Sequence, residues 1–180
     1  PFPVLPQRLA IISSVTAAGY GDFCDQLKKN SSSFAFYPKL FPAIMQGEQA
    51  ESSIIGALER IYENLSLFDV VVIIRGGGAA IDLACFDSYN LALNCAQFPL
   101  PVIAGIAHQR DVSILDMVAH ISVKTPTAAA EFLIGKMQET ENELFNLAND
   151  IHFFISQFLR EEEQLLERKK LQIRQAASAG

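Results

Sequence analysis

No apolar run in the sequence approaches the ~20 residues that a membrane-spanning helix needs, so no membrane partner is expected. The opening Pro1-Phe2-Pro3 is neither a secretory leader nor a natural chain start, and the expectation is a piece of a longer cytoplasmic protein. Cysteine is scarce. Cys24, Cys85 and Cys95 show no metal-ligand spacing, and an odd number with no disulfide-type framework suits a reducing compartment. Neither a metal staple nor a disulfide staple is expected. Positive charge is also short: 14 Lys and Arg stand against 20 Asp and Glu, for a net charge of −6. A grip on nucleic acid dominated by charge needs clustered Lys and Arg, so any such contact must draw on local charge or on further domains. What is present is apolar content. At 180 residues and 50% hydrophobic, the chain can bury the core of one globular α/β domain and carry an appended element.

Residues 8–14 (RLAIISS) form a short apolar run that reads as a strand. A loop over 15–21 and a helix over 22–29 follow it. Residues 35–44 (AFYPKLFPAI) are aromatic but broken by Pro38 and Pro42, which suits an edge strand running into a loop. Between 48 and 65, Ile54, Leu58, Ile61, Tyr62 and Leu65 fall at helical spacing and predict one buried face. Five β-branched residues in succession, Val70 to Ile74, fit a strand buried on both sides. A helix over 88–96, a strand over 101–106 (PVIAGI) and a helix over 112–119 complete the alternation. The pattern predicts an α/β fold with an open, mostly parallel, Rossmann-like sheet and flanking helices, over residues 1–125.

Thr125-Pro126 opens a last helix, the threonine capping free N–H groups and the proline filling the first helical position. No Gly or Pro interrupts the chain from Lys136 to Ala179, and Leu144, Leu147, Ile151, Phe154, Phe158 and Leu165 step by threes and fours. Residues 126–180 are therefore read as one long amphipathic helix, its charged stretch 160–170 solvated or coiled-coil. An apolar seam on a single helix needs cover, from the domain itself or from a partner.

In an open parallel sheet, ligands bind beyond the carboxyl ends of the strands, where helix N-termini point their N–H groups into the crevice. Three segments are expected at that edge: residues 15–22, 75–82 and 107–111. Gly76-Gly77-Gly78 allows close backbone approach to a phosphate, and fits a tight turn without ligand equally well. It is not a dinucleotide fingerprint, because the later glycine of that pattern is absent. Arg75 follows a buried strand directly, so its charge calls for an anionic partner: a ligand, or Asp82 or Asp111 in a salt bridge. His108 and Asp111 are three apart and share a face if the segment makes a helical turn. A carboxylate beside an imidazole fixes its tautomer and favours its protonated form, a general acid/base arrangement. Taken on the residues alone, a helix cap ranks ahead of catalysis for this pair, and a non-catalytic nucleotide- or sugar-phosphate-binding domain ranks ahead of an enzyme. Asp22 joins the group from the first loop, or serves as an ordinary first-turn acid favoured by the helix dipole. His120 and His152 lack such company and are read as structural.

The same residues carry a resemblance. Arg75-Gly76-Gly77-Gly78-Ala79-Ala80-Ile81-Asp82-Leu83, with Phe86-Asp87 beyond, is similar to the exonuclease VII large-subunit motif Arg-Gly-Gly-Gly-Ser-x-Glu-Asp-Leu-x-x-Phe-Asn. Pro101-Val102-Ile103, His108-x-x-Asp111, Asp116-x-Val118-Ala119 and Lys124-Thr125-Pro126-Thr127-Ala128-Ala129-Ala130-Glu131 follow in that family's order and spacing. Ser14-Val15-Thr16 with Asp22 resembles its first strand-loop-helix, and Tyr37-Pro38 with Gln46-Gly47 its second, so the similarity covers about residues 5–131. The sequence departs from the family at Ile81 and Gln109, where the family often has Glu, and at Ala107, where it has Gly. No role is carried onto those three.

The resemblance implies an exodeoxyribonuclease that degrades single-stranded DNA from either end to 5′-phosphate products. It implies catalytic roles for Asp22, Arg75, His108 and Asp111, with Gly76, Gly77 and Gly78 at the phosphate. It also implies an N-terminal OB-fold domain, expected to lie outside this chain, and a C-terminal helical region that binds several exonuclease VII small subunits, of which 126–180 is the start. The family acts without added divalent metal, so no cofactor is expected to be required, with Mg2+ left open. The lack of a carboxylate cluster at two-metal spacing agrees.

Overall fold

A computed structural model describes residues 1–75, 84–106 and 112–178. Val70–Ile74 is the strand β3, and all five side chains are fully buried. Around it stand β1 (Arg8–Ser13), β2 (Tyr37–Pro42), β4 (Val102–Gly105) and β5 (Ile121–Ser122), in the order β2-β1-β3-β4-β5. Every pairing is parallel, with Leu9 opposite Val70 and Val71 opposite Val102. The expected open parallel sheet is present, and β2 is the expected edge strand. Strand order reverses between β1 and β3, which makes their carboxyl ends the switch point of the sheet.

Period-2 alternation divides the strand residues between two cores. Ala10, Ile12, Val71, Ile73, Val102 and Ala104 face one way, against α2 (Ala50–Tyr62), α3 (Tyr89–Ala96) and α4 (Ile114–Val118). Leu9, Ile11, Val72, Ile74 and Ile103 face the other, against Phe23 and Leu27 of α1 (Ala18–Lys28) and Ala129, Ala130 and Leu133 of α5 (Pro126–Ser178). Fully burying one such aliphatic or aromatic side chain contributes ~1.5–3 kcal/mol, so both faces hold the sheet by the same means.

Several boundaries move. Helix α1 begins at Ala18, leaving residues 14–17 as the loop, and Asp22 lies inside the helix instead of closing a loop over 15–21. Burial of Gly19, Phe23 and Leu27 overrides the weak helix propensity of Gly19 and Gly21. Tyr62 is 60% exposed and Leu65 belongs to a separate 3-10 turn, Leu65–Leu67, so neither joins the buried face of α2. Strand β5 is two residues long, too short to leave a pattern in the sequence.

Thr125 caps α5 as expected, its Oγ1 accepting the N–H of Ala128 at 3.0 Å. The chain forms two compact units. Pro1–Gln138 includes the first turns of α5, which bury Ala129, Ala130, Leu133 and Met137. The second, from Glu139, is the remainder of the helix, on which Leu144, Leu147, Ile151, Phe154 and Phe158 are all exposed. No helix among the described residues is long and apolar enough to cross a membrane.

Candidate active site

Strand β3 ends at Arg75, which is half-buried and whose N–H lies 3.5 Å from the carbonyl oxygen of Gly105 at the end of β4. This puts the arginine at the carboxyl edge of the sheet, beside the switch point, as its place after a buried strand predicts. Gly105 is needed there. A Cβ on it would stand 3.0 Å from Ile74 Cγ2 and 3.5 Å from the carbonyl oxygen of Thr125, so the close fit of β3, β4 and the start of α5 depends on a bare backbone.

At the neighbouring end of β1, Ser13 is fully buried. Its carbonyl accepts the N–H of Ala43 at 3.0 Å, while its hydroxyl has no partner among the described residues. Ser14 and Thr16 follow in the loop with their hydroxyls 3.3 Å apart. Helix α1 then starts at Ala18 with no side-chain cap, and Asp22 is exposed one turn further on. Of the seven residues expected at the site, Asp22 stands on α1, which starts beyond the end of β1, and Arg75 follows the end of β3. Gly76, Gly77, Gly78, His108 and Asp111 lie outside the described residues.

The two chain segments that contain those five residues return to the described fold at anchors that are bonded to each other. Residues 84–87 form a 3-10 turn ending in Asp87, and Asp87 Oδ1 accepts the N–H of Ile114 at 2.9 Å. Ile114 opens α4, where Ser113 and Asp116 make a capping box. Buried Asp116 accepts from the N–H of Ser113 at 3.0 Å and from its hydroxyl at 2.7 Å, and from the Ser122 hydroxyl at 2.8 Å. The helix, the segment before it and β5 are thereby locked together. The spacing Ser-x-x-Asp ahead of Leu115 is a legible capping signal, whereas the contacts of Asp87 and Ser122 join positions far apart in sequence. The His120 ring lies 5.6 Å from that of Phe2, tilted by 30°, and both His120 and His152 are exposed.

No disulfide joins Cys24, Cys85 and Cys95, and burial pushes the Cys95 thiol up to about 12. Among the described residues no group of three or more His, Cys, Asp or Glu is placed to hold a metal ion.

Taken together, the wholly parallel sheet and its reversal of strand order define a doubly wound α/β domain with its switch point at the carboxyl ends of β1 and β3. The chain belongs to the exonuclease VII large-subunit family, whose model, "Exonuclease VII, large subunit", matches residues 1–179. It is 41% identical to the exodeoxyribonuclease 7 large subunit of Nostoc sp. over 145 residues, 78% of this chain and 34% of that protein. To its namesake in Acaryochloris marina it is 34% identical over 173 residues, 96% of this chain and 40% of the other. The Vibrio parahaemolyticus protein is 33% identical over 176 residues, 96% of this chain and 39% of its own length. The chain therefore spans well under half the length of the curated relatives it matches.

Proposed function

We propose that this chain is the catalytic part of an exodeoxyribonuclease that hydrolyses single-stranded DNA from either end and releases 5′-phosphate products. The observation that carries the proposal is the half-buried Arg75 at the carboxyl edge of β3, at the switch point, in a chain of this family.

Arg75 and the N–H groups of Gly76, Gly77 and Gly78 bind the scissile phosphate and stabilise the charge that develops on its oxygens. Water attacks phosphorus, the bond to the 3′-oxygen breaks, and the phosphate stays on the 5′ side of the departing nucleotide. His108 takes the proton from the water or gives one to the 3′-oxygen, oriented by Asp111. Asp22, exposed on α1, positions the water or an occasional cation such as Mg2+; no metal is required. The exposed seam of α5 beyond Glu139 receives several small subunits, and cysteines joined by no disulfide suit an enzyme of the cytoplasm.

The test is hydrolysis of end-labelled single-stranded and duplex DNA by the large subunit with its small subunits, comparing wild type with His108→Ala, with and without chelator. Single-strand-specific release of short 5′-phosphate products, lost in the variant, is expected. A folded wild-type complex that binds nucleotides but cleaves nothing would mean a phosphate-binding domain without catalysis.

A further inference from the structure

The end of the sheet opposite Arg75 carries a second feature. There the amino ends of β1, β2 and β3 border a groove of about 790 Å³, lined by Arg8, Phe36, Tyr37, Lys39, Phe68 and Asp69 among others. A smaller cavity of about 360 Å³, which includes Lys28 and Phe34, shares Phe36 and Pro38 with it, so the two form one tract around the start of the edge strand. Its lining holds three cations, Arg8, Lys28 and Lys39, against the single carboxylate of Asp69, on a chain whose net charge is −6.

These groups are held in place. Arg8 donates from Nε to Asp69 Oδ1 at 3.0 Å and from Nη1 to the Ser66 carbonyl at 2.9 Å, which fixes the floor and neutralises the acid. The Lys39 ammonium sits 5.6 Å from the centre of the Phe41 ring and 5.8 Å from that of Phe68. Such cation–π contacts restrain an otherwise mobile charge. Tyr37 precedes Lys39 by two residues, so both lie on one face of β2 about 7 Å apart along the strand, and the Tyr37 ring is 63% exposed.

We propose that this tract binds single-stranded DNA, with an unpaired base stacked on Tyr37 and an adjoining phosphate on Lys39. An exposed aromatic ring beside a positive groove is the way sequence-tolerant single-strand binding is built. Two other occupants fit less well. A polypeptide adding to the outer edge of β2 meets Pro38 and Pro42, which interrupt the edge with residues that have no N–H to offer. A duplex has no free base face for Tyr37. The inference rests on the proposed function for its ligand and adds a substrate surface remote from the reacting phosphate. The five residues of β3 separate the two ends of the sheet by about 17 Å, so only a strand long enough to cross that distance occupies the site and the tract together.

The experiment is fluorescence anisotropy of a 5′-labelled oligo(dT) of about 16 nucleotides with the wild-type chain and with Tyr37→Ala, Tyr37→Phe and Lys39→Ala. All three variants alter exposed side chains. Tyr37→Ala is expected to weaken binding of the oligomer at least about fivefold, with Tyr37→Phe restoring it. Lys39→Ala is expected to lower the slope of log K against log salt by about 0.7, the loss of one single-strand phosphate contact. Wild-type affinity and slope in both alanine variants would overturn the proposal, as would equal affinity for a duplex of the same length or no binding of oligo(dT) at low salt. Hydrolysis separates the two ideas: cleavage with no dependence on Tyr37 refutes the tract alone, and Tyr37-dependent binding without cleavage refutes the nuclease alone.

Discussion

Asp87 accepts the backbone N–H of Ile114 at 2.9 Å, and so ties the first turn of α4 to the turn that precedes α3. Residues 76–83 run into the first of these anchors and residues 107–111 into the second, so this one hydrogen bond joins the fold on the far side of both segments. A carboxylate accepting from the free N–H of a helix start is a cap, and its loss costs ~1 kcal/mol. Asp87→Ala should lower stability by that amount in urea unfolding, while Asp87→Asn, which keeps the acceptor, should lose less than half of it. Equal losses in the two variants would show that the cap is not what Asp87 contributes.

Asp116 stands at the centre of a buried set of polar groups. Its carboxylate accepts three hydrogen bonds, from the backbone and hydroxyl of Ser113 and from Ser122. Removing the acceptor strands those donors, so Asp116→Ala should cost ~3 kcal/mol. Ser122→Ala should cost less, and the pair should be non-additive because both changes delete the same contact. Additive losses in a double-mutant cycle would remove the Ser122 bond from the account.

Acid stability should depend on Asp69. Burial acts to raise its carboxyl, but hydrogen bonds from the Arg8 side chain and backbone, the Arg8 charge and the Gln7 N–H outweigh that and hold it below its ordinary value of 3.8. A carboxyl depressed in the folded state stabilises the fold above its unfolded value, and that contribution is lost as pH falls through the folded one. Stability of the wild type should therefore fall more steeply with acid below about pH 4 than that of Asp69→Asn, whose curve should be flatter there. Parallel curves from pH 5 to 2 would contradict this.

Much of the architecture is legible in the sequence because its signals are local. The β-branched run of β3, the two prolines of β2 and the Thr125-Pro126 helix start each act within a few residues, and each is found where expected. What escaped depends on tertiary contact. Helix α1 starts four residues early because buried Phe23 and Leu27 draw two glycines into it, and β5 exists only by pairing Ile121 with Ile103. Arg75 stands directly after β3 at the carboxyl edge of the sheet, as the strand pattern predicts, whereas Asp22 lies inside α1 and not in the loop the sequence suggests. The anchoring partners of that edge were not legible, since the Asp87–Ile114 bond spans 27 positions with no pattern to announce it.

The measurement that bears most directly on the central claim is single-turnover hydrolysis of a labelled single strand by the large subunit with its small subunits, wild type against Arg75→Ala. If Arg75 stabilises charge developing on the phosphoryl oxygens, saturating turnover should fall by ~100-fold or more, about 3 kcal/mol, with single-strand affinity changed far less. Normal turnover at saturation, with only weaker binding, would contradict that role and leave the arginine as a simple anchor for DNA.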